Sequence, residues 1–268
     1  MNKIGILQGR LTASNGRGIQ FFPTENWRQE FMLAKNIGFD CIEWLIEKED
    51  PNDNPIFLAS AMREIQDLQT KTGVSIPSVH GFYRKDEHYP DEAVTLIEKT
   101  REVGANLILI SFFKDNILAT LEDKKLAVEQ LRKAVAKAEQ LGVRIGIETE
   151  LAAREVLEFV AMFKSDAVGV YYDIGNMVSM GVDVVSEIRQ IGPLIYGVHI
   201  KDRKRGGKTI PFGEGDSDFP AIFAVLKEIG YQGAYIFQGA RSEGVDDVIL
   251  NTRYYDYVKN LLTEIETK

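Results

Sequence analysis

Cysteine is almost missing from this chain: Cys41 is the only one in 268 residues. A lone thiol closes no disulfide framework and builds no cysteine zinc site, and it suits a reducing compartment. Basic residues are in deficit, 32 Lys and Arg against 40 Asp and Glu, and the resulting charge of −8 disfavours nucleic acid as a partner. Long apolar runs are lacking too. No uncharged stretch approaches the roughly 20 residues of a membrane span, and Gln8 and Arg10 interrupt the N-terminal segment, so no signal peptide is expected. Gly, Pro and Ser never cluster into a linker, and no block of like charge marks a tail. What remains is ordinary globular composition, 44% hydrophobic and 27% charged. The expectation is a cytoplasmic protein without nucleic-acid or membrane partners, folded as one domain over residues 1–268.

One small signature recurs along the chain: a helical pattern, a glycine, then a β-rich run. It occurs at Ile37-Gly38, Thr72-Gly73, Val103-Gly104, Leu141-Gly142, Ile191-Gly192 and Ile229-Gly230. Glycine there suits the left-handed residue that ends a helix before a strand starts. Runs rich in Val, Ile, Tyr and Phe predict eight strands, at Lys3–Gln8, Phe39–Leu45, Ser75–His80, Asn106–Phe112, Val143–Glu148, Ala167–Asp173, Leu194–His199 and Ala234–Gln238. A helical pattern follows each. The clearest runs from Leu121 to Leu141, with Leu121, Leu126, Val128, Leu131, Val135 and Ala138 near helical spacing. Eight strand–helix units in 268 residues predict an α/β fold, a (β/α)8 TIM barrel. No Gly-rich dinucleotide fingerprint follows the first strand, which weakens the doubly wound alternative.

Active sites of such barrels lie at the C-terminal ends of the strands. Strands 5 to 8 end in Glu148, Asp173, His199 and Gln238. Two carboxylates, an imidazole and an amide suit one divalent metal ion, of manganese, magnesium, cobalt or zinc type. Other polar residues near the rim are Arg10, Glu43, His80 and Lys201. Glu43 and Arg10 are candidates for substrate contact or for pairing across the rim, and His80 for substrate contact or for a structural cap. Phe82, Tyr83, Trp44 and Phe112 are candidates for an apolar wall that excludes water around a substrate or for simple packing. Gly213-x-Gly215 does not have the pattern of a phosphate cradle.

Several segments resemble the sugar-phosphate isomerase/epimerase superfamily with the xylose isomerase-like barrel. They are Gly5-Ile-Leu-Gln-Gly-Arg-Leu11, Gly38-Phe-Asp-Cys-Ile-Glu-Trp44, Ile145-Gly-Ile-Glu148, Tyr172-Asp-Ile-Gly-Asn176, Val198-His-Ile-Lys-Asp202 and Gly213-Glu-Gly-Asp-Ser-Asp-Phe219 leading to Gly230-Tyr-Gln-Gly233. The resemblance implies metal ligands at Glu148, Asp173, His199 and the end of strand 8, with Glu148 doubling as acid/base. It also implies a substrate contact at Arg205, six positions after the ligand histidine, and a carbohydrate substrate. A homo-oligomer is allowed, since related barrels form dimers or tetramers. The endonuclease branch of the superfamily is disfavoured, because its multi-zinc cluster needs more histidines than His80, His88 and His199. Two positions depart from the pattern: Gln238 stands where glutamate is usual, and Asn176, a candidate substrate contact, where histidine is often found.

In this superfamily isomerases and epimerases remove a proton beside a carbonyl and stabilise the resulting enediolate. Glu148 is the candidate base. Gln238 offers a carbonyl oxygen, but an amide accepts no proton near neutral pH. A symmetric two-glutamate epimerisation is therefore disfavoured unless Glu43, His80 or Glu150 supplies the second base. The first expectation is an isomerase or epimerase of a sugar or sugar phosphate. The alternative is dehydration of a keto-sugar or cyclitol, with His80 or Lys201 assisting departure of hydroxide.

Overall fold

A computed structural model describes residues 2–49 and 51–267. Its strands are β1 (Ile4–Leu7), β2 (Cys41–Leu45), β3 (Ser78–His80), β4 (Leu107–Ser111), β5 (Arg144–Glu148), β6 (Val168–Asp173), β7 (Ile195–Ile200), β8 (Asp202–Arg203), β9 (Thr209–Ile210) and β10 (Tyr235–Phe237). The helices are α1 (Trp27–Ile37), α2 (Ala59–Thr72), α3 (Tyr89–Glu102), α4 (Leu121–Leu141), α5 (Ala153–Ala161), α6 (Ile174–Met180), α7 (Val184–Ile191), α8 (Phe219–Glu228) and α9 (Asp247–Glu266). Strands β1 to β7 and β10 close into a parallel barrel in the order β1-β10-β7-β6-β5-β4-β3-β2. The expected (β/α)8 barrel is what the chain forms.

Local chemistry explains most boundaries. All six glycines of the recurring signature have positive φ. Gly142 ends α4 in the left-handed region and donates back to Ala138 and Glu139 carbonyls. At the other end Thr120 and Asp123 form a reciprocal capping box. The face of α4 that meets the barrel is Ala127, Leu131, Ala134, Val135 and Ala138, while Leu121 and Leu126 are 58% and 43% exposed. Strand β3 is shorter than expected. Ser75 bridges to Cys41, but Pro77 brings no N–H to the ladder, and regular pairing resumes only at Ser78. The β8–β9 ribbon was not foreseen. It follows β7 directly and pairs Asp202 with Ile210 and Arg203 with Thr209.

The main core lies between strands and helices, with Phe31, Trp44, Ile65, Leu96, Leu131, Phe159 and Phe237 fully buried. Each such side chain contributes about 1.5–3 kcal/mol by leaving water. A smaller cluster of Leu107, Leu109 and Tyr171 is packed apart from it. The Tyr171 ring fits because Gly146 and Gly197 carry no Cβ; one built at Gly197 would overlap the ring. Among the described residues, no helix is long and apolar enough to cross a membrane.

Candidate active site

Alternation along the strands puts Glu148, Asp173 and His199 at the same end of the barrel, all buried. Asp173 is directly opposite His199 in the β6–β7 register, and Ser111 opposite Glu148 in β4–β5. His199 Nδ1 lies 3.2 Å from Glu148 Oε1 and 3.8 Å from Asp173 Oδ2. One donor atom from each of these three residues falls within 4.8 Å of the other two. An imidazole nitrogen and two carboxylate oxygens form a donor set that fits a divalent cation.

Gln238 and Lys201 adjoin this cluster. Lys201 Nζ donates to Gln238 Oε1 at 2.6 Å and to Asp173 Oδ2 at 3.2 Å, so the Gln238 carbonyl already has a cationic partner. The Asn176 amide donates to Asp173 Oδ1 at 2.8 Å, an N-cap bond at the start of α6. Burial drives the Asp173 carboxyl up, but Lys201, His199 and the Asn176 amide outweigh it and hold the group below the usual carboxylate range.

On the other side of the imidazole, His199 Nε2 lies 2.7 Å from Glu43 Oε1. The His80 ring stacks on that of His199 with centroids 5.6 Å apart, and His80 Nδ1 is 3.5 Å from the same Glu43 oxygen. Burial alone would lower the His199 pKa and raise that of Glu43; Glu43, Asp173 and Glu148 together push His199 well up instead, and His199 with His80 pulls Glu43 well down. The set Glu43, His80 and His199 also converges closely. There, however, Ser78 and Tyr171 occupy the second Glu43 oxygen, at 2.6 and 2.5 Å.

Above the cluster opens a cavity of about 640 Å³ whose wall includes Gln20, His80, Glu148, Asn176, Lys201 and Gln238. Phe82 and Tyr83 also face it. Trp44 instead packs against Phe22 and Trp27 and donates to Asn54, and Phe112 packs between Tyr83 and Phe159. Thus five of the residues expected at the site line one cavity, with Asp173 and His199 packed against Glu148, Lys201 and His80.

Three others do not line the cavity. Glu43 has no exposed surface. Arg10 is buried and donates to the Gly239 carbonyl at 2.9 Å, tying the β1–α1 loop to the chain after β10. Burial and the nearby Arg241 lower its guanidinium pKa to about 9. Arg205 is exposed, binds Asp216 through its backbone amide, and borders a separate depression with Asp218 and Val184. Arg203, two positions earlier, donates from Nη1 to Asn176 Oδ1 at 3.0 Å.

Sequence reasoning also missed Gln20, Tyr171 and Ser78. Tyr171 and Ser78 stand two residues before Asp173 and His80, so the period of the strand signals their inward direction. Gln20 sits in a loop with no such signal. Its Nε2 lies 3.4 Å from His80 Nε2 and its Oε1 accepts from Gln238 Nε2 at 3.2 Å.

The His-x-Lys-Asp and Gly-x-Gly-Asp segments have a structural reason to occur together. Asp202 is fully buried and accepts from the backbone amides of Gly213, Gly215 and Ser217 at 2.8, 2.9 and 3.2 Å. A side chain at Gly215 would collide with that carboxylate. These amides hold the chain's own Asp202.

Fold and site together define a (β/α)8-barrel protein with a buried acid–imidazole centre suited to a divalent cation. The chain belongs to the xylose isomerase-like TIM barrel family, whose model matches residues 31–250. It is 25% identical over 257 residues to L-ribulose-5-phosphate 3-epimerase UlaE of Escherichia coli (strain K12), covering 88% of this chain and 89% of that protein. Among solved structures, an L-ribulose 3-epimerase superposes with a TM-score of 0.79 at 20% identity, over 100% of this chain and 96% of the other. D-psicose 3-epimerase from Clostridium cellulolyticum H10 gives 0.72 at 16% identity, over 97% and 99%.

Proposed function

We propose that Glu148 is the proton-abstracting base of a metal-assisted isomerase or epimerase acting on a sugar or sugar phosphate. The observation that carries this reading is the convergence of Glu148, Asp173 and His199 Nδ1 at the edge of a cavity that Glu148 itself lines. Those three residues would hold one divalent ion, of manganese, magnesium, cobalt or zinc type. Bound there, the ion supplies Lewis-acid polarisation of a substrate carbonyl and its neighbouring hydroxyl.

The chain's own groups then divide the work. Glu148 takes the proton from the carbon beside the carbonyl. Lys201, held by Asp173 and Gln238, presents an ammonium to developing negative charge. His80, Gln20 and Asn176 offer hydrogen bonds to substrate hydroxyls, and Phe82 and Tyr83 exclude water on one side. Gln238 binds Lys201 and accepts no proton, so any epimerisation draws its second proton transfer from another residue or from Glu148 alone. One observation favours a second reading, dehydration of a keto-sugar or cyclitol: Lys201 places a proton donor within the site, suited to assist departure of hydroxide.

The substrate of UlaE makes L-ribulose 5-phosphate the first compound to assay, beside unphosphorylated ketoses. The same proposal gives the protein a cytoplasmic setting, a small carbohydrate as its partner, no nucleic-acid or membrane partner, and room for a homo-oligomer. The test is exchange of the substrate α-hydrogen in deuterated water, followed by NMR. Glu148→Gln is expected to slow exchange by about 10²–10⁴-fold with the fold intact. Exchange at the wild-type rate in that variant removes Glu148 as the base.

A further inference from the structure

Glu43 is closed off from the cavity. Its side chain has no exposed surface, and both oxygens are taken: Oε1 by His199 Nε2 at 2.7 Å, Oε2 by Ser78 Oγ at 2.6 Å and the Tyr171 hydroxyl at 2.5 Å. A group so enclosed touches no substrate. A buried carboxylate is also costly unless its lone pairs are all used, and here the surrounding fold is shaped to use them. Tyr171 reaches Glu43 only because Gly146 and Gly197 leave room for its ring, and its centroid lies 4.5 Å from that of His199.

The consequence falls on the imidazole. An acceptor 2.7 Å from Nε2 requires a proton on that nitrogen. The ring is then directed so that Nδ1 faces Glu148 and Asp173. Carboxylates in this position behind a ligating histidine fix the ring's tautomer and orientation, and their loss typically weakens metal binding 10–100-fold.

We propose that Glu43, held by Tyr171 and Ser78, is a positioning residue that keeps a proton on His199 Nε2, fixes the ring and presents Nδ1 to the ligand cluster. This rests on reading His199 as a metal ligand, but its first readout does not require metal. The chain has only three histidines, so with ¹⁵N-labelled histidine, and His80→Asn and His88→Asn for assignment, the His199 ring can be followed by ¹H–¹⁵N NMR in the metal-free protein. A direct Nε2–H correlation, shielded from solvent exchange, is expected in wild type. Glu43→Gln should move it upfield and speed its exchange, and Tyr171→Phe should move it by a smaller amount while keeping it visible. Absence of that correlation in wild type, or a signal unmoved by both substitutions, overturns the proposal.

The second readout is affinity for zinc and manganese, measured by competition with a chelator, expected to fall about 10–100-fold in Glu43→Gln. Unchanged affinity there, with wild type binding metal, overturns the positioning role and leaves the metal-assisted reading intact. A wild type that shows the Nε2–H signal, responds to Glu43→Gln and binds neither ion has the opposite meaning: the histidine is positioned as proposed, and the metal-assisted reading fails for those ions.

Discussion

Glu30 offers a quantitative check on how the β1–α1 loop is held over the barrel. It lies on α1, is 1% exposed, and accepts from the amides of Gly9 and Leu11 and the Thr12 hydroxyl at 2.7, 3.0 and 3.0 Å. Burial raises its pKa from 4.5 to about 7, the three hydrogen bonds holding back part of the rise. A raised carboxyl binds its proton more tightly in the folded state than in the unfolded one. Its contribution to stability is therefore fully present below about pH 4.5 and is lost as pH climbs to about 7. The interval between those values, at about 1.4 kcal/mol per pH unit, corresponds to about 3 kcal/mol. Glu30→Gln removes the titration and adds a constant penalty of about 1–3 kcal/mol, because an amide NH₂ must face a backbone donor. Urea unfolding of both proteins from pH 4.5 to 8 isolates the effect, since most other titrating groups are common to both. The wild-type advantage should shrink by about 3 kcal/mol across that range. A difference that does not change with pH refutes the argument. The loop at stake carries Gln20 to His80 and Gln238, so a loosened loop should also raise KM.

Three further substitutions test the assignment of the rim. Gln238→Glu keeps an acceptor for Lys201 and adds a carboxylate beside Asp173. Two unit charges about 4 Å apart near a protein surface interact by about 4 kcal/mol, most of it offset here by Lys201, so divalent-ion affinity should tighten about tenfold by chelator competition. Affinity unchanged or weakened would place the Gln238 side chain away from the ion. Arg203→Ala should raise KM several-fold by freeing Asn176, whereas Arg205→Ala, altered on an exposed surface, should leave kcat and KM within about twofold. The reverse pattern in steady-state kinetics would make Arg205 the substrate contact.

Much of this molecule was legible in order along the chain. Helix–glycine–strand units follow from local propensity and from the left-handed residue that glycine tolerates, and these depend on neighbours in sequence. Strand-end residues are legible for a similar reason, because the alternation that sends Glu148 inward also sends Gly146 inward. Where the strand period was broken or absent, expectation drifted: Pro77 shortened β3, and the β1–α1 loop hid Gln20. Leu121 and Leu126 satisfied the helical spacing yet face solvent, since a period does not say which side the barrel takes.

Partnerships across the barrel belong to the tertiary structure alone. Glu43 and His199 are 156 positions apart and meet at 2.7 Å, and nothing local to either residue records that distance. Arg205 matched the spacing from His199 and was expected to reach substrate; in the folded chain Arg203 donates to Asn176, and the Arg205 backbone amide donates to Asp216. Gln238 kept its expected place at a strand end, while its partner, Lys201, was set by barrel closure between β10 and β7. The sequence by itself determined which elements form and which residue types stand at their ends, because those choices are made by short-range sterics and periodicity. Which of those residues touch was decided only when eight strands closed into a ring, because contact across the barrel depends on register, tilt and the space that glycines leave inside.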